Sequence, residues 1–430
     1  MKYSVVTFGC RVNQADSLAF EEELIATGAH ASAPEVADLV IVNTCSVTAT
    51  ADQGARQTIR RVARDNPTAR IVVTGCYATR RPEEVAALPN VVRVVPNDDK
   101  PRLVPLLRQS PTARAYVVED VTSAERFGDG EGSCGARIGP GLAGRTAFTL
   151  RVQTGCAEPC AYCIIPSTRG APRSVPVNSI LDEIERVARA GFKEIALTGV
   201  HLGSYGRDLS PSIGLASLLE SASREAARLD VRLRVSSLEP MDCTPEIVRL
   251  AETAGQIAPH FHLPLQHARD RVLAAMRRPY TITYYRSLVD DIRHRMPNAS
   301  IGSDVIVGFP GESDADFDAL VEYLEGSPLT HVHVFPYSDR PGTVATTMPD
   351  KVPGAVIRER SRRVREISKR LNDAFLDSQI GTDHRALTLD DGSVAMTGNY
   401  LKVRIPPGRV RNEWVRVRIA SHQDGELLAG

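Results

Sequence analysis

Three apolar, strand-like runs near the N-terminus each close on a cysteine: YSVVTFGC on Cys10, LVIVNTC on Cys45 and IVVTGC on Cys76. Polar stretches of helical character separate them, DSLAFEEELIATG and the Arg-rich ADQGARQTIRRVARD, and RPEEVAAL follows the third. Strands alternating with crossover helices build a parallel sheet. In such sheets ligands collect beyond the carboxyl ends of the strands. The repeat therefore carries three thiols, distant in sequence, to one sheet edge. Three small buried core residues are the ordinary alternative. Equivalent placement in three successive units favours a shared metal site.

A second trio is compact. Cys156, Cys160 and Cys163 are spaced C-x3-C-x2-C in TGCAEPCAYCIIPSTRG, directly after the strand-like FTLRVQ. Three thiolates can hold a four-iron cluster and leave one iron open. Zinc is the rival, because C-x2-C is also a zinc spacing. A structural zinc site wants four ligands, however, and no second C-x2-C or H-x3-H pair lies downstream. Cys134, in the Gly-rich stretch 125–145, and Cys243 have no partner at motif spacing.

From about 146 to 350 the alternation resumes with six candidate strands, FTLRVQ, EIALTGV, RLRVSSL, HFHLPL, SIGSDVIVGF and HVHVFPY. Six parallel strands with crossover helices suggest a barrel or partial barrel whose active face lies at the strand C-termini. Residues 356–375 read as one amphipathic helix, with Val364, Ile367, Leu371 and Phe375 at helical spacing. After Gly381, short β-branched segments separated by DDG, TGN and PPG turns suggest a small all-β barrel, a shape common in oligonucleotide-binding modules. Trp414 and basic outer positions there suit RNA contact, with a plain capping barrel as the alternative. The expected organisation is 1–112, a Rossmann-like parallel-sheet domain; 113–141, a linker; 142–375, a partial (β/α)6 barrel; and 376–430, the small barrel.

The 430-residue chain balances 52 basic against 52 acidic residues, so net charge names no partner. Arginines nevertheless cluster at Arg56, Arg60, Arg61 and Arg64, then at Arg358, Arg360, Arg362, Arg363 and Arg365, and five more fall between Arg404 and Arg418. Such patches can follow a phosphate backbone, or simply be solvated helix faces. No apolar run approaches the roughly 20 residues that span a bilayer. The N-terminus lacks the h-region of a signal peptide. A cytoplasmic location without membrane contact is expected, where cysteines at motif spacing are metal ligands or catalysts rather than disulfides.

The compact trio and its surroundings resemble the radical S-adenosylmethionine superfamily. FGCRVNQADS, IVNTCSVTATADQGARQTIRR, VTGCYA, CIIPSTRGAPRS, LTGVHLGSYGRDL, RVSSLEP, HFHLPLQ, DVIVGFPGE and HVFPYSDRPGT are similar to the methylthiotransferases of that superfamily. Within it they look most like the branch that acts on threonylcarbamoyladenosine next to the tRNA anticodon. The resemblance spans nearly the whole chain and implies an N-terminal methylthiotransferase domain, a radical core and a C-terminal TRAM-type barrel.

The resemblance implies two 4Fe-4S clusters. Cys156, Cys160 and Cys163 would bind the one that cleaves S-adenosylmethionine, and Cys10, Cys45 and Cys76 the auxiliary one that handles sulfur. The target C–H on adenine is unactivated, so the cofactor supplies the reactivity, and a second S-adenosylmethionine supplies the methyl group. Further cofactor contacts carried over are Tyr162 beside the adenine, Thr198 and Gly199 by the methionine amino group, Ser236, Ser237 and Glu239 near the ribose, and Asp304 and Gly308 near the adenine. Turn glycines and strand-end polar residues also occur there without any ligand. Implied partners are the tRNA anticodon loop and an electron donor such as flavodoxin or ferredoxin.

One stretch departs from the family. After HLPLQ, Ser-Gly-Ser-Asp is usual, whereas this chain has His267, Ala268, Arg269 and Asp270. His260, His262, His331 and His333 alternate within strands and read as polar barrel residues rather than metal ligands. The rival functions are the same chemistry on isopentenyladenosine in tRNA, the same chemistry on an aspartate of a ribosomal protein, and a non-catalytic iron–sulfur or zinc RNA-binding protein.

Overall fold

The computed structural model describes residues 1–108, 139–141 and 145–430. Most of the expected linker, and Cys134, lie outside the described residues. Five parallel strands form the N-terminal sheet: β1 (Lys2–Thr7), β2 (His30–Ala31), β3 (Leu39–Thr44), β4 (Arg70–Gly75) and β5 (Val91–Val95), in the order β2-β1-β3-β4-β5. The three strands expected from the cysteine-closed runs are its centre. The two edge strands carry weak sequence signals, one being two residues long.

Period-2 alternation assigns the β3 side chains to two separate cores. Val40 and Val42 pack with Ala55, Ile59 and Val62 of α2 (Ala49–Asp65). Leu39 and Ile41 pack with Phe20 and Leu24 of α1 (Arg11–Ala26). Being covered on both faces, the strand reads as an unbroken apolar run.

The six expected barrel strands are all present and parallel. With β7 (Gln153–Thr154) and β8 (Arg173–Ser174) forming a small antiparallel ribbon between the first two, they are β6 (Phe148–Arg151), β9 (Glu194–Thr198), β10 (Arg232–Val235), β11 (His260–His262), β12 (Ser300–Val307) and β13 (His331–Pro336). They form two three-stranded sheets, β10-β9-β6 and β11-β12-β13. The sheets meet where Leu233 bridges Ile257 and where the Leu238 N–H donates to the His262 carbonyl at 2.9 Å. The result is a half-barrel, with α1 packed beside β6.

The amphipathic helix runs Gly354–Ser378, slightly longer than expected. Val364 and Ile367 join the half-barrel core, whereas Phe375 and Leu376 join that of the C-terminal barrel. That barrel is closed in the order β14-β15-β16-β18-β17, from β14 (Asp383–Leu389), β15 (Val394–Thr397), β16 (Lys402–Arg404), β17 (Trp414–Gln423) and β18 (Glu426–Ala429). Two arginines of β10 fasten it to the half-barrel. Arg234, with its side chain fully buried, pairs with Glu194 at 3.0 Å and donates to the Gly398 carbonyl at 2.9 Å. Arg232 donates to the Arg385 carbonyl at 2.6 Å. Among the described residues, no helix is long and apolar enough to cross a membrane.

Candidate metal centres

The fold brings the dispersed cysteines together. Cys10 caps the start of α1, Cys45 follows β3, and Cys76 opens the short helix α3 (Cys76–Arg80) after β4. Two glycines permit the convergence. Gly9 has φ +86°, and a Cβ there would lie 2.5 Å from the Cys45 sulfur. Gly75 has φ +97°, and a Cβ there would lie 2.1 Å from the Thr44 carbonyl oxygen. Only a residue without a side chain takes both the conformation and the approach.

Buried charge surrounds this trio. Asp16 of α1 accepts from Lys100 at 2.6 Å and from Arg169 at 3.4 Å, and it also pairs with Arg151. Asn13 accepts from Arg169 at 2.6 Å, and Asn97 donates to the Cys76 sulfur at 3.7 Å. Burial, with Cys10 and Cys76 adding to it, pushes the Cys45 thiol up to about 11, against a weaker opposing hydrogen bond from the Val47 N–H. Burial alone would raise Cys76 too, but Arg169 and Lys100 hold it below its ordinary value. Cys45 and Cys76 are buried and Cys10 is exposed at the rim. Three bunched thiols flanked by cations, open to solvent on one side, are a donor set suited to a metal centre, whose iron removes the mutual repulsion of the thiolates.

The compact trio sits on the loop after β7, each cysteine half-buried. The Glu158 and Ile165 N–H groups donate to the Cys156 and Cys163 sulfurs, both at 3.4 Å. Arg278 donates to Cys160 at 3.1 Å, and its guanidinium also pairs with Glu239. Burial, with Cys160 and Cys156 adding to it, pushes Cys163 up to about 12. This set, too, fits a cluster: three converging sulfurs, each carrying an N–H donor.

Of the remaining residues named from the sequence, Tyr162 lies in that loop, and Thr198, Gly199 and Glu239 connect to it or to the strands leading into it. Tyr162 packs with Ala161, Val272, Met276 and Phe309. Thr198 ends β9, and its carbonyl accepts from the Val152 N–H at 2.9 Å. Gly199 lies against Gln153, Ser236 has a buried hydroxyl without a partner among the described residues, and Ser237 is exposed. Glu239 reaches the compact trio through Arg278. The Gly308 N–H donates to Glu312 at 2.8 Å. Asp304 lies instead against His262, 3.0 Å from Nε2.

Sequence reasoning missed Gln153. Its amide donates to the Thr154 and Gly155 carbonyls, both at 2.8 Å, and its oxygen accepts from the His201 N–H at 2.9 Å, tying the cysteine loop to the turn after β9. No spacing rule marks such a residue.

The divergent loop has a structural explanation. His267 is fully buried, and burial pulls it down to about 4. Arg271 pairs with Asp316, Arg269 lies 3.7 Å from the same carboxylate, and Asp270 accepts from the Ile282 N–H at 2.7 Å. The added bulk is buried, and the added charge faces Asp316 of the helix Asp314–Glu325. Trp414 also departs from expectation. Arg385 and Arg232 lie 4.0 and 4.7 Å from its ring centroid, so it serves the seam between barrels. Much of the basic surface is neutralised as well: Arg362 pairs with Glu359 and Glu366, Lys369 with Asp373, and Arg370 with Glu325. Arg363, Arg365 and Arg416 are exposed without an ion pair among the described residues.

Residues 2–96 match the family model "Uncharacterized protein family UPF0004", and residues 150–324 match the "Radical SAM superfamily". A threonylcarbamoyladenosine tRNA methylthiotransferase, MtaB, of Aquifex aeolicus (strain VF5) is 36% identical over 97% of this chain and 100% of that protein. The chain belongs to the radical S-adenosylmethionine methylthiotransferase family. It is an enzyme of that family, whose cofactors are two 4Fe-4S clusters and S-adenosylmethionine. The ribosomal protein uS12 methylthiotransferase RimO of Roseiflexus sp. (strain RS-1) is 34% identical over 94% of this chain and 89% of that one. Among solved structures, the radical S-adenosylmethionine methyltransferase TsrM of Kitasatospora setae shares the fold, with a TM-score of 0.55 at 17% identity over 80% of this chain and 77% of that one.

Proposed function

We propose that this enzyme converts N6-threonylcarbamoyladenosine, next to the anticodon of a tRNA, to its 2-methylthio derivative. The observation that carries the reading is the pairing of two separate three-thiol centres in a chain similar over its whole length to an enzyme named for that reaction. In this reading Cys156, Cys160 and Cys163 hold the cluster that engages S-adenosylmethionine, and Cys10, Cys45 and Cys76 hold the auxiliary one. When bound, these groups supply a radical able to take hydrogen from an unactivated C–H and an open iron that carries sulfur.

The chain's own residues position these groups. Arg278 holds Cys160 and Glu239 in one line, and Gln153 fixes the turn bearing Thr198 and Gly199 against the cysteine loop. Lys100 and Arg169 offset the negative charge of the dispersed thiolates. Tyr162, Ser236, Ser237 and Gly308 complete the proposed lining of the S-adenosylmethionine site, and Asp304, expected there from the resemblance, is held against His262.

The chain then divides into an auxiliary-cluster domain at 1–112, a linker at 113–141, a radical core at 142–375 and an RNA-binding barrel at 376–430. A splayed loop base enters a half-barrel mouth more readily than a paired one. Arg363, Arg365 and Arg416 supply free positive charge for phosphates. Catalysis takes place in the cytoplasm with a flavodoxin- or ferredoxin-class electron donor.

Mass spectrometry of tRNA nucleosides from the native host, with and without the gene, tests the reading. Loss of 2-methylthio-threonylcarbamoyladenosine alone is expected. Loss of the isopentenyl counterpart would move the substrate, and an unchanged tRNA profile would turn the search to ribosomal protein.

A further inference from the structure

We propose that His262, His331 and His333 form a site for a borderline divalent metal ion, represented by zinc, on the wall of the half-barrel lumen and separate from both thiol centres. Ring nitrogens of the three residues all lie within 4.8 Å of one another. The register explains why. His262 of β11 sits beside Gly302 of β12, Gly302 beside His331 of β13, and Asp304 beside His333. Residues in register on neighbouring parallel strands, and residues two apart on one strand, share a sheet face. Ile301, Val305 and Val307 fill the core of the half-barrel on the opposite face. The histidines therefore occupy the lumen side.

Gly302 makes the convergence possible. A Cβ at that position would lie 2.2 Å from Nε2 of His331. The absent side chain opens a slot between the columns from β11 and β13, and the His331 ring occupies it. Ring centroids of His333 lie 5.4 Å from His331 and 5.6 Å from His262, so all three rings surround one small volume.

Two of the rings are oriented from behind. His262 Nε2 lies 3.0 Å from an Asp304 carboxylate oxygen, and His331 Nδ1 lies 3.0 Å from the Thr330 hydroxyl. Each contact takes up one ring nitrogen, so in the proposed site the other nitrogen is the ligand, the arrangement by which ligating imidazoles are commonly held. Histidine ligands suit zinc and its transition-metal neighbours rather than magnesium or calcium. Three protein ligands leave a fourth position, as in reactive rather than structural zinc sites. Here that position faces the lumen and takes water or an oxygen donor from a ligand inside it. The alternating histidines alone suggest only a polar lining; the convergence of three nitrogens over a glycine is what the fold adds. The inference holds for any substrate of the enzyme.

The test uses holoenzyme whose clusters have been reconstituted, equilibrated with Zn2+ against a chromophoric chelator and analysed for zinc and iron. The wild type should retain a single equivalent of zinc with its iron unchanged. His333→Gln, at an exposed position, and His331→Gln should each weaken zinc retention by about tenfold or more, and Asp304→Asn by about tenfold to a hundredfold, with full iron content. Failure of the wild type to retain zinc would overturn the proposal. So would equal retention by His333→Gln and His331→Gln, or zinc uptake matched by loss of iron, which would place the ion on the thiols. None of these outcomes depends on which nucleoside the enzyme modifies.

Discussion

The two thiol centres are built by opposite means. The compact one is local: eight consecutive residues carry all three sulfurs, and backbone N–H groups of the same loop serve two of them. The dispersed one is assembled from the ends of three separate segments and depends on a parallel sheet to exist at all. Their electrostatic surroundings differ in the same way. One guanidinium, Arg278, touches the compact trio, whereas a buried network of Asp16, Lys100, Arg169 and Arg151 backs the dispersed one. A local motif carries its geometry with it; a distributed one leans on tertiary charge.

Single cysteine substitutions press hardest on that contrast. Cys160→Ala should abolish S-adenosylmethionine cleavage, whereas Cys45→Ala should abolish methylthio transfer and leave cleavage intact, each losing about half the iron. Cleavage assays paired with iron analysis check this, and loss of cleavage in Cys45→Ala would show that the centres are not independent.

Next in size is the charge network. Asp16 is almost fully buried among three cations, so Asp16→Ala strands them and should cost about 3–5 kcal/mol of stability. Denaturant unfolding of the cluster-free protein measures it. A loss below about 1 kcal/mol would mean that the dispersed centre does not lean on this network.

On the half-barrel side, the carboxylate to compare is Asp316. Burial alone would raise it, yet the hydrogen bonds from Ser313 and Arg271 bring it down to about 2 from 3.8. A depressed carboxylate stabilises above its unfolded value and loses that contribution as pH falls through the folded one. About 2 kcal/mol present at neutral pH should therefore fade between about pH 4 and pH 2. Asp316→Asn should remove that part of the acid dependence in a pH series of unfolding midpoints.

The smallest effect expected is electronic. Arg278→Gln withdraws a positive charge 3.1 Å from Cys160 and should lower the midpoint potential of the compact centre while leaving the other unmoved. Redox titration followed by electron paramagnetic resonance reads both. A matching shift in the dispersed centre would break the separation.

What could be read from the sequence follows the same divide. The compact trio was legible from spacing, and the dispersed trio from a repeated strand-end position. All six half-barrel strands and the long helix were visible as periodicity. Asp16, Lys100 and Arg169 were not, because they lie 84 and 153 residues apart from one another's partner in sequence and meet only in the fold. Gln153 and the Glu239–Arg278–Cys160 line share that origin. Strand register, which joins His262 to His331 across Gly302, is likewise a property of the sheet. Trp414 misled because a lone aromatic on a basic barrel has the same signature whether it faces solvent or a pair of arginines.

The fastening of the C-terminal barrel by Arg232 and Arg234 gives the molecule a fixed gauge. Both guanidinium groups are buried against carbonyls of the other barrel, and the long helix spans the same two bodies through Val364 at one end and Phe375 at the other. If the small barrel binds RNA as proposed, a substrate gripped there would be presented at a set distance and angle from the half-barrel mouth. On that proposal selection would rest partly on length: a loop whose reactive base hangs too near or too far from the gripped segment would be refused, whatever its chemistry.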